Sequence, residues 1–171
     1  DLDGVVAVLR HCHNRIEIID RSADGTVCIR AMAGASLKSL CALALRRGLC
    51  GLNFALGIPG TVGGAIVGNA GTARGVVADA LESTAVLGAD GRIRRLGKRS
   101  LAFGYRRLRW PAEFAPPIVL DGCFGLCPAD PLRLRREARD ILRKRNSRQP
   151  LGEATAGCFF KNPPAGPAAG Y

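Results

Sequence analysis

The stretch Gly57-Ile58-Pro59-Gly60-Thr61-Val62-Gly63-Gly64 constrains this chain more than any other. Four of its eight residues are glycine and one is proline. Glycine turns through positive φ and lets another group approach the main chain closely. Proline fixes its own φ and disfavours helix at the residue before it. The residues that follow, Ala65-Ile66-Val67-Gly68-Asn69-Ala70-Gly71, stay small. A segment with so few side chains presents backbone N–H groups, which suits a phosphate, a pyrophosphate or the edge of a flat heterocycle. An ordinary glycine-rich turn has the same composition. The spacing is neither G-x-G-x-x-G nor that of a P-loop, so it argues against a Rossmann or Walker site.

The rest of the chain must supply the context. Its 171 residues suffice for one domain, or one domain and part of another. With 47% hydrophobic but only 5% aromatic residues, the core must be built from Leu, Val, Ile and Ala. The net charge of +11 fits nucleic acid, an anionic membrane surface, an anionic substrate or simply an arginine-biased composition. No apolar run reaches the length of a membrane span. The opening Asp1-Leu2-Asp3 has neither the basic region nor the apolar core of a signal peptide. Seven cysteines, an odd and scattered set without Cys-x-x-Cys, make a poor disulfide framework. His11 and His13 stand far from most of them, which argues against a zinc site. Reduced thiols in a cytosolic compartment fit best.

Along the chain, Gly4 to Leu9 reads as a strand. Ile16–Ile19 and Thr26–Ala31 flank Ala23-Asp24-Gly25, and Glu82–Leu87 and Arg92–Leu96 flank Ala89-Asp90-Gly91. Both patterns predict hairpins. Ser36 caps a helix whose buried face is Leu37, Leu40, Cys41 and Ala44 and which ends at Gly48. Phe103-Gly104-Tyr105-Arg106 is either a binding corner or an aromatic-lined turn, and Ile118-Val119-Leu120 is a buried strand. Residues 131–147 form a helix with an apolar stripe of Leu134, Ala138, Ile141 and Leu142. Its many arginines read as a solvated face rather than a nucleic-acid surface, because no aromatic residues are interleaved for base stacking. Strands with occasional helices indicate an α+β domain.

Taken in order, Ala33-Gly34-Ala35, Gly57 to Gly64, Asn69-Ala70-Gly71, Phe103-Gly104-Tyr105-Arg106, Arg148-Gln149-Pro150 and Gly157-Cys158-Phe159-Phe160-Lys161-Asn162-Pro163 resemble the UDP-N-acetylenolpyruvoylglucosamine reductases of bacterial cell-wall synthesis. The ordered set covers nearly the whole chain. The resemblance implies FAD in a domain of the vanillyl-alcohol-oxidase type, NADPH as reductant, and conversion of an enolpyruvyl UDP-sugar to UDP-N-acetylmuramate. It implies a cytoplasmic monomer acting on a small molecule, without membrane or nucleic-acid partners.

By the same resemblance Arg106 is the catalytic cation, since a guanidinium stays protonated and grips a carboxylate with two bonds. Cys158 stands where the family usually has serine. Its thiol is mostly protonated at neutral pH and is the expected proton donor. Tyr105, Lys161 and Asn162 match positions facing the substrate. Ala33, Gly34, Ile58, Pro59, Gly60, Thr61, Val62, Gly63, Gly64 and Asn69 match cofactor contacts. No residue matches a metal ligand.

Departures bound the expectation. Thr72-Ala73-Arg74 replaces the family's Ala-Tyr-Gly. The family's acidic catalytic residue would fall beyond Tyr171, and Glu153 lies in the wrong motif to replace it. An N-terminal flavin lobe and the end of a substrate domain are expected to be missing. Residues 1–124 are then most of the second flavin-binding lobe, residues 125–171 start the substrate domain, and full activity of these residues alone is expected to be absent or weak. The alternatives are another FAD-dependent oxidoreductase of the same fold and a non-catalytic basic binding module.

Overall fold

In the computed structural model the described residues are residue 3, residues 6–114 and residues 117–147. The elements run β1 (Ile16–Arg21), β2 (Val27–Met32), α1 (Leu37–Arg46), β3 (Leu49–Cys50), α2 (Val62–Val67), β4 (Gly71–Thr72), β5 (Gly75–Val76), α3 (Val77–Ala80), β6 (Leu81–Leu87), β7 (Ile93–Gly97), β8 (Ala102–Gly104), β9 (Arg107–Arg109), β10 (Ile118–Pro128) and α4 (Pro131–Asn146). The main sheet is ordered β1-β2-β10-β6-β7, with every pair antiparallel and β3 joined to the end of β10. This is the α+β arrangement expected.

Both Asp-Gly turns make the hairpins that their sequences specify. Gly25 has φ +86° and Gly91 has φ +74°, values that favour glycine. Asp24 and Asp90 each accept a hydrogen bond from the amide two residues on, from Thr26 at 2.9 Å and Arg92 at 3.1 Å. Helix α1 also follows its pattern. The Ser36 hydroxyl accepts from the Ser39 amide at 3.0 Å, and Leu37, Leu40, Cys41 and Ala44 are buried. They pack with Val27, Ile29, Leu81, Phe124 and Leu126 of the sheet in one hydrophobic core. Helix α2 lies across the middle of that sheet face. A Cβ at Gly122 of β10 would sit 2.7 Å from Cδ1 of Ile66, so only glycine lets α2 approach so closely.

Alternate residues of the central strands point to the other face, where they build a charged seam. Asp121, 1% exposed, accepts from Nε of Arg30 at 2.7 Å and from Nη2 of Arg95 at 3.0 Å. Its second oxygen accepts from the Ala85 amide at 3.3 Å. Burial alone pushes the carboxyl up, but the guanidiniums of Arg95 and Arg30 outweigh it and hold the group below the usual carboxylate range.

Two expectations are corrected. Residues 6–8 have no regular structure, and Leu9–His11 form a single 3-10 turn in place of a strand. The Leu9 carbonyl accepts from the His13 amide at 2.9 Å, so the turn satisfies locally what a strand would need a partner for. Gly4 and Val5 lie outside the described residues. Leu142 is 38% exposed, which narrows the buried stripe of α4 to Leu134, Ala138 and Ile141. Residue 124 lies inside β10, the central strand, and Ala138 and Ile141 of α4 belong to the same core as the sheet.

Among the described cysteines, Cys12 and Cys127 are exposed while Cys41 is buried. Burial pushes the Cys41 thiol up to about 11. Burial and the neighbouring Cys123 push Cys28 up to about 11 as well. Thiolate is the reactive form. Alkylation with iodoacetamide at pH 8, read by peptide mass spectrometry, is therefore expected to label Cys12 and Cys127 well before Cys28 and Cys41.

Candidate functional site

The glycine-rich stretch is less bare than its composition suggests. Thr61 caps α2 through Oγ1, which accepts from the Gly64 amide at 3.3 Å. The segment zips antiparallel onto residues 33–37. The Leu37 amide donates to the Gly60 carbonyl (3.0 Å), Val62 to Ala35 (2.8 Å) and Gly63 to Ala33 (2.9 Å). This zip brings the two small-residue motifs together on one wall. Ala33, Gly34, Thr61, Gly63 and Gly64 line a cleft of about 570 Å³ whose lining also includes Leu9, Arg10 and His11.

The glycines of this wall have different reasons to be glycine. A Cβ at Gly34 would fall 2.3 Å from the Leu9 carbonyl oxygen and 2.6 Å from that of His13. Gly63 would meet Cβ of Ala33 at 2.9 Å. Both are demanded by the fold itself. Gly64 is exposed, and the nearest atom to a Cβ there is Oγ1 of Thr61 at 3.5 Å. Its small size leaves open space that the protein does not use, in a cleft whose charged lining side chain is Arg10. An anionic group with a flat body fits that cradle. Gly34→Ala is expected to cost about 1–3 kcal/mol by overpacking against backbone, measurable as a lower urea midpoint.

The other residues expected at the cofactor are placed differently. Val62 is fully buried in the core, and its amide is taken by Ala35. Ile58 packs against the same core. Neither lines the cleft, because the helix turn starting at Val62 points its first apolar side chain inward. Pro59 and Gly60 are exposed next to Thr61, and Gly60 has φ +120°.

A second cleft, of about 380 Å³, opens at the turn after α2. Strands β8 and β9 form a hairpin whose two turn residues are Tyr105 and Arg106. Arg106 has φ +54° and Asn69 has φ +39°, both in the left-handed region that non-glycine residues seldom occupy. Such strain clusters where a side chain must be aimed. Asn69 holds the turn in place. Its Nδ2 donates to the Gly104 carbonyl at 3.1 Å, and its Oδ1 accepts from the Ala78 amide at 3.1 Å. Both ends of the carboxamide are thus engaged with the protein, which makes Asn69 a positioning residue for the hairpin. Arg106 donates through Nη2 to the Gly71 carbonyl at 3.0 Å, and its guanidinium lies 5.6 Å from the centre of the Tyr105 ring. Tyr105, Arg106, Asn69 and Gly71 all line this cleft.

The structure therefore brings Asn69, Tyr105 and Arg106 together, and Ala33, Gly34, Thr61, Gly63 and Gly64 together. Cys158, Lys161 and Asn162 lie outside the described residues. Sequence reasoning missed Arg10 and the turn that carries it, since Gly4 to Leu9 had the β-branched composition of a strand. No helix among the described residues is long and apolar enough to cross a membrane.

A reductase acting on UDP-N-acetylenolpyruvoylglucosamine from Desulfosudis oleivorans is 44% identical over 142 residues, which cover 81% of this chain and 45% of the relative. The corresponding reductase of Syntrophobacter fumaroxidans is 41% identical, over 80% of this chain and 39% of its own length. This chain spans less than half the length of either. The crystal structure of the Thermus caldophilus reductase superposes with a TM-score of 0.73 at 39% identity, covering 81% of this chain and 50% of that one. The profile of the FAD binding domain matches residues 1–97, more than half of the chain. With the glycine wall of the first cleft inside that span, the chain belongs to the FAD binding domain family.

Proposed function

We propose that this chain serves a reductase that reduces the enolpyruvyl group of UDP-N-acetylglucosamine enolpyruvate to give UDP-N-acetylmuramate, with NADPH as reductant, in the cytoplasm and as a monomer. The observation that carries the reading is Arg106, held in a left-handed turn and lining the cleft that opens after α2. Ala33, Gly34, Thr61, Gly63 and Gly64 would hold FAD along the first cleft, with Arg10 offsetting phosphate charge. FAD held there and reduced by NADPH would supply the hydride.

The chain's own residues manage charge. Hydride addition to the β-carbon leaves negative charge spread from the α-carbon into the adjacent carboxylate. Arg106 spends one N–H on the Gly71 carbonyl and keeps the rest of its fork for that carboxylate. A cation fixed before the reaction stabilises developing charge without reorganising. Tyr105, itself exposed, stacks on one side of the guanidinium. Cys158 delivers the proton to the α-carbon, and Lys161 and Asn162 hold the substrate in this reading.

The test uses the open space at Gly64. Gly64→Leu introduces a better helix former where little stands in its way. It is expected to leave the melting temperature unchanged or raised while weakening FAD binding by at least about tenfold in a fluorescence titration, equivalent to about 1.4 kcal/mol. FAD binding equal to wild type would remove the cleft from the proposal. Substrate-dependent NADPH oxidation then separates this reductase from other flavin enzymes of the same fold.

A further inference from the structure

The arginine-rich helix α4 forms one wall of a groove that the reductase reading does not use. The groove, of about 540 Å³, has Phe54, Leu56 and Ile141 as its apolar floor and Arg74, Lys144 and Arg145 as its cations. No carboxylate lines it among the described residues. It shares Thr72 and Ala73 with the cleft that holds Arg106, so the two are continuous.

Each wall is fixed before any ligand arrives. On one side, the Thr72 hydroxyl donates to the Phe54 carbonyl at 3.4 Å and accepts from the Arg74 amide at 3.2 Å, which pins the loop carrying Arg74. On the other, Nδ2 of Asn53 donates to Glu137 of α4 at 2.9 Å. The stem of Arg145 lies across Gly57, where a Cβ would fall 2.6 Å from its Cδ.

The helix dipole accounts for part of this. Lys144 and Arg145 sit in the last turn of α4, where cations are favoured. It does not account for Arg74, which comes from a different element and faces the same space. Arg74 and Lys144 also line the adjoining depression, whose three carboxylates each have a partner other than these two cations. Asp130 caps α4 at the Leu132 amide, Glu137 accepts from Asn53, and Asp140 pairs with Arg143 at 3.1 Å. Like charges converging from two walls repel unless a multiply charged anion joins them.

We propose that Arg74, Lys144 and Arg145 form a subsite for the diphosphate of a nucleotide whose reacting end lies at Arg106. The apolar floor suits the hydrophobic face of a sugar or base. The site itself stands on the groove alone. Its assignment to the reaction rests on the proposed function, where two ligands carry a diphosphate: the UDP-sugar and the dinucleotide reductant.

The test is isothermal titration of the full chain with inorganic pyrophosphate at low salt. Arg74→Gln with Lys144→Gln is expected to weaken binding at least tenfold. Arg135→Gln with Arg139→Gln removes the same charge from exposed positions of the same helix and is expected to change it less than twofold. Arg74→Lys retains most of the affinity. An equal loss in both double variants, or no pyrophosphate binding by wild type, overturns the subsite. UDP and NADP⁺ then serve as separate competitors: the one whose affinity falls in the groove variant is the source, and no fall in either overturns the assignment. Pyrophosphate binding with no flavin reduction sinks the reductase reading and leaves the subsite standing.

Discussion

Replacement of Asp121 by alanine is expected to lower the stability of the domain by about 3 kcal/mol, the lower end for a broken buried ion pair. The carboxylate is 1% exposed and takes hydrogen bonds from Arg30, Arg95 and the Ala85 amide. Its loss leaves two guanidiniums aimed at an apolar hole. Their side chains are 35% and 41% exposed, so water recovers part of the cost. The pH dependence follows from the sign of the shift. The folded carboxyl is held below its unfolded value of about 3.9, so its contribution is complete above that pH and disappears as pH falls through the lower folded value. Urea midpoints of wild type and Asp121→Asn should differ most at pH 7 and converge towards pH 2. A constant gap across that range would show that the ion pairs contribute nothing.

The second large effect is expected at Arg106, and there stability and turnover should part company. Arg106→Gly relieves a left-handed conformation that costs a non-glycine residue about 1–2 kcal/mol, set against glycine's own entropy cost of about 0.5–1 kcal/mol. The melting temperature is therefore expected to stay within a few degrees of wild type. If the proposed function holds, turnover of the enolpyruvyl substrate should fall by about 10²–10³, the loss seen when one fixed donor to developing negative charge is removed. Arg106→Lys keeps the charge but not the fork, and should fall between the two. Pre-steady-state flavin reoxidation reads the chemical step directly. Wild-type rates in Arg106→Gly would end the assignment of this side chain to chemistry.

Local signals carried well from sequence to structure where a few residues settle the outcome alone. The two Asp-Gly turns needed only a glycine with positive φ, and α1 needed only its cap and its 3.6-residue apolar period. Other features needed the whole fold. Helix α2 hides in a glycine-rich run because its stability comes from packing against Gly122 and zipping onto residues 33–37. The Arg30–Asp121–Arg95 seam joins positions far apart in sequence, and isolated charges inside apolar strands do not name their partners. At the site, the motifs singled out Arg106 and the small-residue wall. They did not show that Gly34 and Gly63 serve the protein's own packing while Gly64 leaves room for something else.

The sheet order leaves β1 and β7 as the outer strands of the described sheet. A free strand rim is a template for fibril growth between copies. Here β1 changes register between Ile18 and Asp20, and its flank carries Glu17, Asp20 and Arg21. β7 carries Arg94 and Arg95 in five residues. A kinked rim on one side and an arginine-bearing rim on the other are poor templates for extending the ladder between copies.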